Sequence, residues 1–199
     1  MLEAYYFSRK FLRPKGWLES RRLQQSIDSE KNPLPWFTYS ALHFICQKLE
    51  LKPMKVFEFG SGNSTLWFAA RVASVVSVEN NPEFYTEMTE KIQLVSNVTY
   101  ELRHLNKNYS QKILEYEEAF DIIIIDGRER VECVKNCLQA LKKDGVIIFD
   151  NSDRARYAEA YDFLAQHQFK KIDFKGIGPI GYKEWQTSIY YRTENCFDI

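Results

Sequence analysis

The sequence predicts an α/β fold in which helices cover both faces of a parallel, doubly wound sheet. Short apolar runs, which predict strands, alternate with segments of helical spacing along most of the chain, for example Val56 to Phe59 and Ser74 to Val78. The run from Ile122 to Ile125 is apolar throughout, as expected for a central strand that is covered on both faces. Alternating strands and helices form parallel sheets with right-handed crossovers, and such sheets bind ligands beyond the carboxyl ends of their strands.

Capping residues and periodicity place the remaining elements. Residues 1–12 predict a short N-terminal helix, and the polar, proline-marked segment 14–36 predicts an ordered arm or lid. Thr38 and Asn81 are each placed as N-caps, the second before a proline in the first helical position. Helices are predicted at residues 39–50, 64–72, 82–94, 131–141 and 155–167, further strands at 97–102, 146–149, 169–174 and 187–191, and a turn at 142–145.

Composition indicates one domain and narrows the class of partner. The 199 residues are 45% hydrophobic, which suits one domain, 1–199, made of an arm with a packing helix (1–50) and a cofactor-binding core (51–199). Lys+Arg and Asp+Glu are both 27, so no basic excess indicates a nucleic-acid partner. We expect no transmembrane segment and no secretory signal. Four cysteines without metal-site spacing are typical of a reducing compartment, so a cytoplasmic location is expected.

A glycine turn follows the first predicted core strand. Gly60 and Gly62 allow the backbone to turn sharply and to approach a ligand, and the next helix begins with free N–H groups. A dinucleotide fingerprint would need a third glycine where the chain has Thr65. Glu58 also disfavours a pyrophosphate, because two like charges about 4 Å apart cost about 4 kcal/mol at an effective dielectric near 20. S-adenosylmethionine (SAM) fits better, since its ammonium and sulfonium suit Glu58 and its carboxylate suits the glycine-turn N–H groups.

An acidic residue ends the next predicted strand. Glu79 lies 19 residues after Gly60, the place where a carboxylate binds ribose hydroxyls in nucleotide-binding sheets. Asn80 follows it directly. This spacing adds a second feature that favours an adenosine-containing cofactor.

Four segments together resemble the class I SAM-dependent methyltransferases over about residues 51 to 192: E-x-G-x-G-x-S-T, V-x-V-E, F-D-I-I-I-I-D-G and D-G-V-I-I-F-D-N. The resemblance implies a Rossmann-like, seven-stranded sheet in the order 3-2-1-4-5-7-6, with the last strand antiparallel. Together with the glycine turn it predicts a SAM site made of Glu58, Gly60, Ser61, Gly62, Ser64, Thr65, Glu79, Asn80, His104 and Asp126. His104 is placed near the adenine, and a plain surface histidine is the alternative.

Acidic and amide side chains also end two further predicted strands. Asp126, Asp150 and Asn151 resemble the ligand set of metal-dependent catechol-type O-methyltransferases, which implies Mg²⁺ or Ca²⁺. Those enzymes have a lysine as the proposed base where this chain has Glu129. Two interpretations therefore stay open: a metal centre, or carboxylates that bind the cofactor and cap helices. Asp126, Asp150 and Arg128 are the predicted catalytic residues.

Arginines and a long loop lie near the same predicted edge. Arg128, Arg130 and Arg154 either bind an anionic acceptor or neutralise the neighbouring aspartates. The glycine-rich loop 176–186 is expected to close over a substrate.

The predicted function is SAM-dependent methyl transfer, with a small-molecule or glycan-type hydroxyl as acceptor. Three alternatives come from other classes. One is a dinucleotide-dependent oxidoreductase, one is a SAM-binding protein without transfer, and one is an enzyme that uses an aminopropyl donor.

Overall fold

The computed structural model describes residues 6–106 and 108–199. Its seven strands form one sheet in the order β3-β2-β1-β4-β5-β7-β6, which confirms the predicted order. The strands are β1 (Lys55–Phe59), β2 (Ser74–Glu79), β3 (Val98–Leu102), β4 (Phe120–Ile125), β5 (Leu141–Asp150), β6 (Lys170–Gly176) and β7 (Trp185–Tyr191). β1 to β5 pair in parallel, and β7 is antiparallel to both of its neighbours, as the resemblance implied.

Six α-helices accompany the sheet in the described residues. They are α1 (Trp17–Leu23), α2 (Tyr39–Leu49), α3 (Asn63–Ala69), α4 (Pro82–Ile92), α5 (Arg130–Cys137) and α6 (Ala158–Gln166). Both predicted caps are confirmed: the Thr38 hydroxyl accepts a hydrogen bond from Ala41 N, and Asn81 Oδ1 accepts two from the first turn of α4. None of these helices is long and apolar enough to cross a bilayer.

The N-terminal segment is helical in two places. Residues Ser8–Leu12 form a π-helical turn, while residues 1–5 of the predicted first helix lie outside the described residues. α1 lies inside the segment predicted as an arm. Its N-cap is Gly16 at φ 77°, and no side chain caps it, so the sequence contains no helix-start signal there.

The two faces of the sheet bury separate hydrophobic layers. Side chains on one face, such as Phe57 and Ile123, pack with α5 and α6, whereas Val56 and Ile122 face α2 and α3 on the other. Successive residues of a strand point to opposite faces, so a strand covered on both faces is apolar throughout. This explains the unbroken apolar run of β4.

The predicted turn at residues 142–145 is wrong, because these residues belong to β5. Phe120 pairs with Leu141, but Ile122 pairs with Val146, so β5 contains a bulge of extra residues opposite Asp121. Asp121 is buried and accepts hydrogen bonds from Lys142 Nζ at 2.9 Å and from Lys55 N at 2.8 Å. Lys142, one of the polar residues of the predicted turn, is thus held against the sheet by the Asp121 carboxylate.

Candidate active site

A cavity of about 1430 Å³ opens at the carboxyl ends of the central strands. The glycine turn and the end of β2 form one side of it, and the ends of β4 and β5 form its floor. The arm and the β6–β7 loop, residues 177–184, form the far side. Sites for a single small ligand measure about 300–1,000 Å³, so this cavity has room for a cofactor and a second molecule.

Glu58 is buried beneath the glycine turn and is only 1% exposed. Its Oε1 accepts a hydrogen bond from Ser64 Oγ at 2.5 Å, and its Oε2 accepts from Thr65 Oγ1 at 2.5 Å and Ser77 Oγ at 2.7 Å. Thr65 Oγ1 in turn accepts from Gly62 N at 3.1 Å. The carboxylate therefore joins β1, β2 and the start of α3, and through Thr65 it fixes the turn.

The predicted contact between Glu58 and the cofactor ammonium is not supported, because the side chain does not reach either cavity at this site. Burial raises the pKa of Glu58 to about 7, even though three hydroxyl groups donate to it. Its role is to shape the turn that faces the ligand.

Gly60 brings the glycine turn against the loop after β4. Its φ is 93°, and a Cβ at this position would lie 2.6 Å from Gly127 Cα. A glycine is required for both reasons: the left-handed backbone and the close approach. The end of β1 and the end of β4 consequently form one continuous surface.

Glu79 lines the cavity at the end of β2, as predicted. Its Oε1 accepts hydrogen bonds from Asn80 N and Asn81 N, both at 2.8 Å, and its Oε2 accepts from Ser61 Oγ at 2.9 Å. These bonds hold the carboxylate at the cavity wall. Its contact with ribose hydroxyls stays a prediction.

The predicted cofactor residues other than Glu58 have four different placements. The main cavity is lined by Gly60, Ser61, Glu79, Asn80 and Asp126. An adjoining cavity of about 410 Å³ is lined by Gly62 and Ser64, together with Ser61 and Asp126. Thr65 is fully buried, and its hydroxyl bonds to Glu58 and to Gly62 N. His104 is exposed and outside the lining of both cavities, so the structure gives no support to its predicted adenine contact, which stays a prediction.

Asp126 and Asp150 meet at the cavity floor with Arg130 between their strands. Arg130 Nη2 lies 2.9 Å from Asp126 Oδ1 and 2.7 Å from Asp126 O. The same guanidinium donates to the backbone carbonyls of Gly127 and Asp150, and it is only 7% exposed. Burial raises the pKa of Asp126 against the attraction of Arg130, and burial together with the Asp126 charge raises the pKa of Asp150.

The carboxyl group of Asp150 is held in place by neutral donors. Its Oδ1 accepts from Thr187 Oγ1 at 2.6 Å and from Trp185 Nε1 at 3.0 Å. No side chain in the described part of the protein donates to its Oδ2, and the residue lines the cavity. One oxygen is therefore free to contact a molecule bound there.

This arrangement does not fit the predicted metal centre of Asp126, Asp150 and Asn151. One oxygen of each aspartate is already committed, and the buried Arg130 guanidinium supplies the cation that joins the ends of β4 and β5. Asn151 has a left-handed backbone with φ 52°. Within the described ranges, no group of three or more His, Cys, Asp and Glu residues is arranged to bind an ion.

The arm contributes residues that sequence patterns did not single out. Ser26 and Trp36 line the adjoining cavity with the glycine turn, and Asn63 Nδ2 donates to Ser26 O at 2.7 Å. Ser26 Oγ is buried and has no hydrogen-bond partner in the described residues. Trp17 Nε1 donates to Gly181 O at 2.7 Å and Arg21 Nη1 to Ile180 O at 3.0 Å, so the arm packs on the β6–β7 loop. No local periodicity or motif reveals such contacts between distant segments.

Comparison with known proteins supports the predicted class. Residues 57–152 match the family model described as a methyltransferase domain. The fold and the sheet order are those of the class I SAM-dependent methyltransferases, and with this match the enzyme prediction is confirmed. The match favours methyl transfer over the dinucleotide-oxidoreductase alternative. No curated protein matches the chain in sequence.

Solved structures share the fold at low sequence identity. A precorrin-6y C5,15-methyltransferase from Geobacter metallireducens has a TM-score of 0.61 and 13% identity, over 76% of this chain and 89% of that chain. A methyltransferase from Streptococcus mutans in complex with S-adenosylhomocysteine (SAH) has a TM-score of 0.54 and 15% identity, over 74% and 97%. A SAM-dependent O-methyltransferase from Thermotoga maritima has a TM-score of 0.57 and 16% identity, over 77% and 65%.

Replacing Glu58 by Gln should change how stability depends on pH. A folded-state pKa raised to about 7 means that the protonated form stabilises the fold, so this contribution is present below the unfolded value of 4.5 and is lost as pH rises through 7. The free energy of unfolding of the wild type should fall, relative to Glu58→Gln, by roughly 3 kcal/mol between pH 4.5 and 7.5. Urea unfolding at several pH values measures this difference. Parallel curves for the two proteins would show that Glu58 is ionised normally.

Removing the unpartnered hydroxyl of Ser26 should weaken cofactor binding. A hydrogen bond from this hydroxyl to the ligand in the adjoining cavity is worth about 0.5–1.5 kcal/mol, so Ser26→Ala should raise the Kd of SAH by roughly 3–10-fold. Calorimetric titration measures the Kd. Ser29→Ala, an exposed serine of the same arm, is the matched control. Equal affinities for all three proteins would show that the Ser26 hydroxyl does not contact the cofactor.

Proposed function

We propose that this enzyme transfers the methyl group of SAM to a hydroxyl of a small-molecule or glycan-type acceptor. The observation that carries the proposal is one cavity that runs from Glu79 and the glycine turn to Asp150. Its first end suits the adenosine and methionine parts of SAM. Its other end has room for an acceptor beside a buried carboxyl group.

The transfer is an in-line displacement at the SAM methyl carbon. An acceptor oxygen lone pair forms the new C–O bond, the C–S bond breaks, and its electron pair stays on the sulfur of SAH. The acceptor hydroxyl must also lose its proton, which distinguishes oxygen acceptors from neutral amines. Asp150 Oδ2 takes this proton in the proposal, and its raised pKa makes the ionised carboxylate a stronger base than an ordinary aspartate.

The remaining residues of the floor hold this arrangement. Arg130 fixes the ends of β4 and β5 through Asp126, and Trp185 and Thr187 orient the Asp150 carboxyl group. Positioning of the two reactants supplies much of the rate enhancement in such displacements. Metal assistance is left out of the proposal because Arg130 provides the positive charge at the floor.

A cytoplasmic location is also part of the proposal. The four cysteines are all unpaired, and three of them are buried. Free thiols of this kind are typical of reducing compartments, which supports the location.

Replacing Asp150 by Asn should abolish most methyl transfer but preserve cofactor binding. An amide oxygen still accepts from Trp185 and Thr187, but the group no longer takes up the acceptor proton, and general-base catalysis typically contributes about 10²–10⁴-fold in rate. Transfer from tritiated SAM to small-molecule and glycan fractions measures the loss, and calorimetry with SAH measures binding. Asp153→Asn, at an exposed position of the same cavity, is the control. Unreduced transfer by Asp150→Asn would exclude Asp150 as the base.

Chelators should not reduce the activity. Because the Arg130 guanidinium occupies the space between the two strand ends, we expect no binding heat when the SAH-loaded protein is titrated with MgCl₂ or CaCl₂. Transfer in excess EDTA should equal transfer without it. Activity that disappears with EDTA and returns with Mg²⁺ would restore the metal centre and would show that Arg130 does not take the place of an ion at the cavity floor.

A further inference from the structure

Cationic side chains cluster at the end of the cavity that faces away from Glu79. They come from the arm, from the loops after β4 and β5, and from the β6–β7 loop. The five residues are Arg21, Arg128, Arg154, Arg156 and Lys183. In the described part of the chain, none of them has a nitrogen within 4.0 Å of a carboxylate oxygen.

Neutral contacts aim several of these groups without cancelling their charge. Arg21 donates to the Ile180 carbonyl and lies 5.0 Å from the centre of the Tyr182 ring. Arg156 Nη2 donates to Tyr157 Oη at 2.8 Å. Lys183 Nζ lies 5.8 Å from the same Tyr182 ring. Carbonyls and aromatic rings orient these cations at the mouth but leave their charge available to a ligand.

The nearby carboxylates do not neutralise the cluster. Arg130 pairs with Asp126, so this arginine neutralises a neighbouring aspartate, which is one of the two roles considered for the arginines. Glu129, Asp153 and Glu184 line the cavity without an ion pair in the described residues. Glu132, which also lines it, pairs with Lys135, so three unpaired acidic groups stand against five basic ones at this end. Arg128, Arg154 and Arg156 are all exposed at the cavity mouth.

The cofactor does not account for these charges. SAM has a sulfonium and an ammonium against one carboxylate, so a basic surface repels it. The basic groups therefore lie where the acceptor, and not SAM, binds. Guanidinium groups bind carboxylates and phosphates through paired hydrogen bonds, which makes an oxyanion the complementary ligand.

We propose that the acceptor is an acidic molecule, which carries a carboxylate or a phosphate in addition to the hydroxyl that is methylated. This inference rests on the proposed function. The anion lies among Arg128, Arg154 and Arg156, and the side chains of Trp36 and Tyr182, both exposed, offer aromatic surface to the rest of the acceptor. The hydroxyl then faces Asp150 at the cavity floor.

The test uses charge reversal in the full-length enzyme. Arg154→Glu and Arg156→Glu should each raise KM for the acceptor by about 10–100-fold, while the Kd of SAH changes less than about 2-fold. The control is Lys170→Glu. Lys170 is exposed and lies at the start of β6, at the end of the sheet opposite the cavity. This substitution should leave both values unchanged. The acceptor pool is a small-molecule and glycan extract, separated on an anion exchanger at pH 7 and labelled with tritiated SAM.

The outcomes separate the inference from the proposed function. An acidic acceptor is supported if the anion exchanger retains the labelled product and the arginine variants do not form it. If alkaline phosphatase treatment abolishes this retention, the acidic group is a phosphate; if it does not, the group is a carboxylate. Labelled product in the flow-through, formed equally by all variants, overturns the acidic acceptor but leaves the proposed methyl transfer intact. SAH binding without label in any fraction overturns the proposed function itself.

Discussion

The carboxylate of Glu58 is the constraint on which the rest of the site depends. It is nearly inaccessible to solvent, yet three hydroxyl groups from β2 and α3 donate to it. A buried carboxyl group without such partners would be strongly unfavourable, so the hydroxyls and the carboxylate require each other. Because Thr65 also accepts from Gly62 N, the shape of the turn is set by a carboxyl group that lies outside the lining of both cavities.

Arg130 plays the corresponding part under the acceptor end. Breaking a buried ion pair by removing one partner costs about 3–5 kcal/mol, because the other charge stays buried without compensation. The pair with Asp126 and the bonds to backbone carbonyls after β4 and β5 therefore hold the two strand ends at a fixed separation. In a metal-dependent site an ion would join the two strand ends. In this protein the guanidinium group of Arg130 joins them.

Sequence patterns could predict what is local and periodic. The caps at Thr38 and Asn81 and the placement of Glu79 followed from residue types at fixed spacing, whereas the strand order followed from the resemblance to class I methyltransferases. They could not assign Glu58, since its partner Ser77 lies 19 residues away on another strand. The fit of the predicted metal ligands could not be judged from sequence for the same reason: the reach of Arg130 back to both strand ends is a three-dimensional property.

Charged groups at the floor of the cavity and charged groups at its mouth differ in whether they form ion pairs. This difference determines whether a group stabilises the fold or attracts a ligand. At the floor, the charges of Asp126 and Arg130 are matched, so this pair preserves geometry and offers little net charge to a ligand. At the mouth, the cations have no carboxylate within ion-pair distance in the described residues, so their field extends into the cavity. A charge that holds the fold must be paired, and one that selects a ligand must be unpaired until the ligand arrives. Arg128, Arg154 and Arg156 are unpaired in the described part of the chain and belong to the second kind. Arg130 lies only two residues from Arg128, but it is paired and belongs to the first kind.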